Sequence, residues 1–245
     1  MSDSTIQVFE DTKIKVSKYQ ENKKIKRQQI PWGVKRVGAN EAWTKTTGKG
    51  VKIAVVDSGI APHKDLRKNI EGEFNAIEPC KPATDDYGHG THVAGIIAAK
   101  DNKVGVVGVA PDAGLIVVAA AGNNNGGSTV YPAAYEGVIS VNAIDDRDII
   151  ASFSAKGKID FTAPGVDICS TYLDNSYVNL SGTSMAAPHV TGVFALMLAD
   201  RRNDTDRNGS VSTKEVLNVV LNSIEDVGSV GYDEIYGNGI LKCKK

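Results

Sequence analysis

Five short stretches, residues 50–57, 104–110, 115–121, 138–144 and 159–163, read as β-strands. The first three are apolar almost end to end. Near-continuous hydrophobicity over so few residues predicts a strand buried on both faces, as in a parallel sheet. Helical segments interleave with these runs, one following His89 and one over residues 190–198. Strands alternating with helices predict an α/β fold with a mainly parallel sheet flanked by helices. In such sheets ligands sit beyond the carboxyl ends of the strands, so the turns after the runs are where chemistry is sought.

Those turns carry a consistent set of residues. Asp57 closes the first run and Ser58-Gly59 turns the chain after it. An Asp there serves either a site or a turn cap. His89 lies between Gly88 and Gly90 at the start of a small-residue helix, with His92 three positions on. Two histidines at i, i+3 can face one way, but the Glu of a His-Glu-x-x-His zinc helix is absent. The run over 115–121 ends in Gly122-Asn123-Asn124-Asn125, whose amides either make turns or donate into a crevice. Ser184 sits in Gly182-Thr183-Ser184-Met185-Ala186-Ala187-Pro188-His189, where small residues meet the apolar run 190–198. Pro188 is expected in the first turn of that helix, where no hydrogen bond is lost. Ser184 taken alone reads as a helix cap. As a nucleophile it would benefit from the free N–H groups and dipole of the helix terminus.

Composition narrows the function classes. The 245 residues are 41% hydrophobic and 23% charged with a net charge of −1, a balance that does not point to nucleic acid or to a membrane. Nine Lys and Arg lie between Thr12 and Arg36 against one acidic residue, yet no aromatic platform or helix-turn-helix pattern accompanies them. The longest apolar run is far too short to span a bilayer. Residues 1–27 are polar and basic and lack the apolar core of a secretory signal. They read as an appendage of two short strands, around Ile6-Val8 and Ile14-Val16, and a linker ending in Lys26-Arg27. Cys80, Cys169 and Cys243 have no metal-ligand spacing; one disulfide with a free thiol, or three thiols, both fit.

A second signal lies near the C-terminus. Residues 204–215 match Asp-x-Asp-x-Asn-Gly-x5-Glu in full. In such a loop Asp204, Asp206 and Asn208 supply side-chain oxygens, Ser210 supplies its carbonyl, Gly209 makes the sharp turn and Glu215 binds bidentately. Helices are expected over residues 190–202 before it and 213–223 after it, so calcium is the predicted ligand.

Taken together, Asp57-Ser58-Gly59, His89-Gly90-Thr91-His92-Val93-Ala94-Gly95 and Gly182-Thr183-Ser184-Met185-Ala186-Ala187-Pro188 resemble the three catalytic motifs of the subtilisin-like serine peptidases, in that family's order. Ala121-Gly122-Asn123 is similar to its oxyanion-hole motif. The resemblance implies a three-layer subtilisin-like α/β fold over residues 28–245, with residues 1–27 the remnant of an inhibitory propeptide. It implies a serine endopeptidase acting on protein or peptide substrates, with Ser184 the nucleophile, His89 the general base, Asp57 its orienter and Asn123 an oxyanion donor. It also implies an extracellular enzyme and a calcium site built from Gln28, Asp65, Asn102 and the carbonyls of Lys100, Val104 and Val106. The chain departs from the family between residues 113 and 114. Part of the sheet and two helices are missing there, including the edge strand that receives substrate. Four residues cannot make a parallel crossover. Two readings follow, an endopeptidase and a catalytically impaired calcium-binding remnant.

Overall fold

A computed structural model of the chain describes residues 24–75, 80–113, 119–120 (backbone only), 128–129 and 133–243. The two short strands expected around Ile6-Val8 and Ile14-Val16 lie outside the described residues. The helices are α1 (Trp32–Arg36), α2 (Ala39–Ala42), α3 (His89–Ala98), α4 (Thr183–Ala199) and α5 (Thr213–Leu221). The strands are β1 (Ala119–Ala120), β2 (Ser140–Ile144), β3 (Phe161–Pro164), β4 (Ile168–Thr171), β5 (Tyr177–Leu180), β6 (Ile224–Glu225) and β7 (Ile240–Leu241). One sheet runs β1-β2-β3-β7-β6, parallel except at β6–β7; β4 and β5 form a separate antiparallel hairpin. This is the expected α/β architecture, a parallel sheet flanked by helices.

The core forms around α4. Residues 183–197 of this helix are all buried, as expected of a helix without a polar face. It packs on β1, β2 and β3, on α3 and on α5, and Phe194 meets Phe161 of β3 edge to face at 6.1 Å. Every residue of β2 is buried. Its one amide, Asn142, donates to the carbonyls of Ala155 and Ile235, so a polar residue is tolerated in a central strand because its donors are matched.

Three expectations change. Residues 51–56 form no strand among the described residues, and Val56 is 65% exposed. A strand is defined by its neighbours' hydrogen bonds, and no described neighbour flanks this stretch. Residues 104–110 form no strand, although 105–110 are buried. Lys103 and Gly105 both have left-handed backbones (φ 72° and 65°), which breaks extension, and Val106 makes only a single bridge with Gln29. The N–H groups of Gly108, Val109 and Ala110 instead donate to the last carbonyls of the α3 region, at Ala99, Ile96 and Ile97. They satisfy groups that a helix end leaves open. Finally, α4 begins at Thr183, so Pro188 lies inside the helix rather than in its first turn. Its missing N–H withdraws the helix bond that the Ser184 carbonyl would accept.

Helix α3 is held against the β4–β5 hairpin by side chains of β4. Ser170 Oγ donates to the His92 carbonyl (2.8 Å) and Thr171 Oγ1 to the Thr91 carbonyl (2.7 Å). This approach requires Gly95, where a Cβ would lie 2.1 Å from Thr171 Oγ1 and 2.3 Å from Ser170 Oγ. Helix propensity favours Ala over Gly by about 1 kcal/mol, whereas overpacking costs about 1–3 kcal/mol, and the clash wins. Gly95→Ala is expected to destabilise the protein by about 1–2 kcal/mol, read as a lower urea midpoint at unchanged m-value; a stabilised variant would refute the contact.

Candidate active site

Asp57 and His89 come together through a close approach of α3 to the turn after residue 57. His89 is the first residue of α3. A Cβ on Gly90 would lie 2.2 Å from the Gly59 carbonyl, so only glycine lets the helix terminus reach this turn. His89 Nδ1 stands 2.8 Å from Asp57 Oδ1 and 2.9 Å from Oδ2. The Ser58 N–H donates to Asp57 Oδ1 at 2.7 Å. The two side chains are 8% and 16% exposed, so the contact is made largely out of water. An imidazole held at Nδ1 by a carboxylate presents Nε2 for proton transfer.

Ser184 is the second residue of α4 and is buried. The helix cap is Gly182, which makes no side-chain capping bond. The cap reading of Ser184 therefore fails. Helices α3 and α4, which carry His89 and Ser184 near their N-termini, pack against each other.

His92 is not a metal ligand partner of His89. It is fully buried, and its Nε2 faces the carbonyls of Ile168 and Val178 at 3.0 and 3.2 Å. Asn123 lies outside the described residues. Among the described residues Cys80, Cys169 and Cys243 form no disulfide with one another.

Sequence reasoning missed Asp85. Its carboxylate is 3% exposed. Oδ1 accepts from Ser58 Oγ (2.9 Å), the Tyr87 N–H (3.0 Å) and the Gly88 N–H (2.8 Å). Oδ2 accepts from the Thr91 N–H (2.9 Å) and Thr91 Oγ1 (2.6 Å). Burial works against its charge, but these donors outweigh burial and hold the carboxyl below its ordinary range. The available signal was a carboxylate just ahead of a helix start. Asp85 and Asp86 share that signal, and only Asp85 is buried.

Two groups of oxygen donors were expected to hold calcium. Around Asp65, which is 1% exposed, Oδ1 accepts from Asn102 Nδ2 (3.0 Å), and Oδ2 from the Val106 N–H (3.2 Å) and Tyr177 OH (2.7 Å). Asn102 Oδ1 accepts from the Val104 N–H. Gln28 Nε2 reaches the Lys100 carbonyl at 3.5 Å, and its Oε1 accepts from the Lys103 N–H. The Asp65, Asn102 and Gln28 oxygens are of the hard donor type that calcium takes, and here each accepts from an N–H or O–H group of the protein.

In the 204–215 loop, Asp204, Asp206 and Glu215 each bring a carboxylate oxygen within 4.8 Å of the others. Before the loop α4 runs to Ala199 and a 3-10 turn, Arg201–Asn203, follows it; after the loop stands α5, which ends two residues earlier than expected. Loop N–H groups of Asn208 and Gly209 point at Asp204, and that of Ser210 at Asn208 Oδ1. Glu215 also closes a capping box with Ser212. Donors from Ser212, Thr205 and Asp206 pull its carboxyl down to about 2.

A model of the subtilase family matches residues 48–117 and 112–239. The chain is 36% identical over 277 aligned residues to Subtilisin Savinase of Lederbergia lenta, covering 89% of this chain and 98% of that protein. It is 36% identical to an alkaline protease of Alkalihalobacillus alcalophilus, over 89% of this chain and 70% of that protein. It is 34% identical to Minor extracellular protease Epr of Bacillus subtilis (strain 168), over 87% of this chain but only 41% of that protein. The chain belongs to the subtilase family. By family it is a serine endopeptidase, a hydrolase. An alignment of 277 residues on a chain of 245 means that the relative carries residues this subtilase lacks. The two matched segments meet at 112–117, where the crossover is missing from the sequence. No helix among the described residues is long and apolar enough to cross a membrane.

Three buried histidines make the fold sensitive to acid. Burial lowers His92 to about 3 and His189 to about 4, and lowers His63 as well. Unfolding releases them to an ordinary value near 6.5, so below that pH the unfolded chain binds more protons. Stability is then unaffected above about pH 6.5 and falls as pH drops toward 4, by about 1.4 kcal/mol per pH unit for each of His92 and His189. Urea midpoints measured from pH 7 to 4.5 should show this slope, and His92→Gln should remove roughly one histidine's share of it; an unchanged slope would refute it.

Proposed function

We propose that this chain hydrolyses peptide bonds through Asp57, His89 and Ser184. The observation that carries the reading is the contact of His89 Nδ1 with both Asp57 oxygens beside a helix that begins with Thr183-Ser184. Ser184 Oγ attacks the scissile carbonyl carbon as His89 Nε2 takes its proton, giving a tetrahedral oxyanion. His89 then gives that proton to the amine nitrogen as the C–N bond breaks, leaving the acyl–enzyme. A water, deprotonated by the same nitrogen, attacks the acyl carbon, and the bond to Ser184 Oγ breaks as His89 returns the proton to it. Asp57 fixes the tautomer and stabilises the imidazolium. Asn123 and the Ser184 N–H are the proposed donors to the oxyanion.

Calcium belongs to the same proposal, held at Asp65, Gln28, Asn102 and the carbonyls of Lys100, Val104 and Val106, and in the 204–215 loop by Asp204, Asp206, Asn208, Ser210 and Glu215. When bound, the ion supplies charge neutralisation and cross-links loops; it takes no part in bond cleavage. Residues 1–27 act as the end of an inhibitory propeptide, with Lys26-Arg27 at the junction. Action outside the cell rests on the relative described as an extracellular protease.

One observation favours the second reading, a subtilase remnant without turnover. Residues 51–56 pair with no described strand and Val56 is 65% exposed, so substrate finds no edge strand beside Asp57 among the described residues. A fluorophosphonate probe separates the two. Labelling that is lost in Ser184→Ala is expected; folded protein that stays unlabelled in calcium would leave the remnant reading. For the metal, calorimetric titration should show binding that weakens at least tenfold in Asp204→Ala, roughly the 1.4 kcal/mol of one strong contact. Affinity equal to that of the unsubstituted chain would remove the loop from the proposal.

A further inference from the structure

We propose that Asp85 is a positioning residue for the His89–Asp57 pair, acting through Ser58 and the first turn of α3. The inference rests on the reading of that pair as the proton-transfer relay.

The geometry links the two stretches that carry the pair, which lie 32 residues apart in sequence. On one side, Asp85 Oδ1 accepts from Ser58 Oγ at 2.9 Å. The same Ser58 oxygen accepts from the Gly90 N–H at 3.0 Å, and the Ser58 N–H donates to Asp57 Oδ1 at 2.7 Å. Ser58 is therefore held by the residue after His89 while it holds the oxygen that His89 Nδ1 meets. On the other side, Asp85 Oδ2 takes the N–H and hydroxyl of Thr91, and Thr91 Oγ1 accepts from the Ala61 N–H at 2.9 Å. One buried carboxylate thus sets both the entry of α3 and the turn after Asp57.

The charge matters as well as the shape. All five donors to Asp85 are neutral, and two are backbone N–H groups at the α3 terminus, from Gly88 and Thr91. An anion is favoured there by the helix dipole, and ionic hydrogen bonds are shorter and stronger than neutral ones. The 2.6 Å contact from Thr91 Oγ1 is in that short range. An amide at position 85 must turn a donor toward Ser58 or toward Thr91, both of which donate. One side of the link then opens, and the imidazole loses its fixed direction.

The experiment uses the full chain in calcium and the variants Asp85→Asn, Ser58→Ala and Ser58→Thr. Ser58→Ala removes one link and leaves four donors on Asp85, so it reports even where Asp85→Asn does not fold. Turnover of a peptide substrate should fall about 10- to 100-fold in kcat for Asp85→Asn and Ser58→Ala, with KM within about twofold. Ser58→Thr, which keeps the hydroxyl, should recover most of the loss. In parallel, the His89 Nδ1–H resonance of histidine-labelled protein should be sharp and slowly exchanging in the parent chain and in Ser58→Thr. It should be broadened or lost in Ser58→Ala. Variants that lose only stability, with kcat and the resonance unchanged, would overturn the proposal. A parent chain that does not turn over substrate would instead refute the proposed activity. The resonance alone would then decide: its loss in Ser58→Ala supports positioning, and its persistence refutes it.

Discussion

The burial of α4 is the constraint on which the rest of the molecule depends. A helix with no polar face has to be covered on every side, and β1–β3, α3 and α5 supply that cover. Removing so many apolar side chains from water is the dominant favourable term in forming the domain. It also has a geometric consequence. A helix packed all round cannot slide or rotate, so the N-terminal turn that holds Ser184 has a set position relative to α3 and to the sheet. The interior proline is tolerated within this frame because packing, not helix propensity, holds α4 together.

The second level of organisation is polar and local to the α3 terminus. Helix α3 is clamped at both ends and along one side. Its last carbonyls are met by residues 108–110, its face by the hydroxyls of Ser170 and Thr171, and its first turn by Asp85. His92 adds a contact to both strands of the hairpin. These bonds are individually modest, but together they leave His89 one approach to Asp57. Preorganisation of this kind lets a general base act without rearrangement at the moment of reaction.

Against this well-built interior stands the irregular course of residues 51–56. In an intact parallel sheet such a run is flanked on both sides. Here the two matched family segments meet at 112–117, and the run before Asp57 is left with an exposed valine. The residues proposed for catalysis keep their places because they sit on turns and helix termini held from other directions. What the shortened link alters is the surface beside them, which the peptide would line.

The sequence by itself determined the α/β class, a helix at His89 and one at Ser184, and the subtilase family through its motifs in their order. Each of these depends on local spacing: period, glycine placement and a polar residue closing an apolar run. It also marked the 204–215 loop. Tertiary structure decided everything that rests on distant partners. It distinguished Asp85 from Asp86 by burial and gave His92 its partners, the carbonyls of Ile168 and Val178. It moved the start of α4 back to Thr183 and denied strands to residues 51–56 and 104–110. The physical reason is common to all of these. Apolar pattern reports that a segment is buried, but which hydrogen-bonding partner it finds there is set by residues tens of positions away.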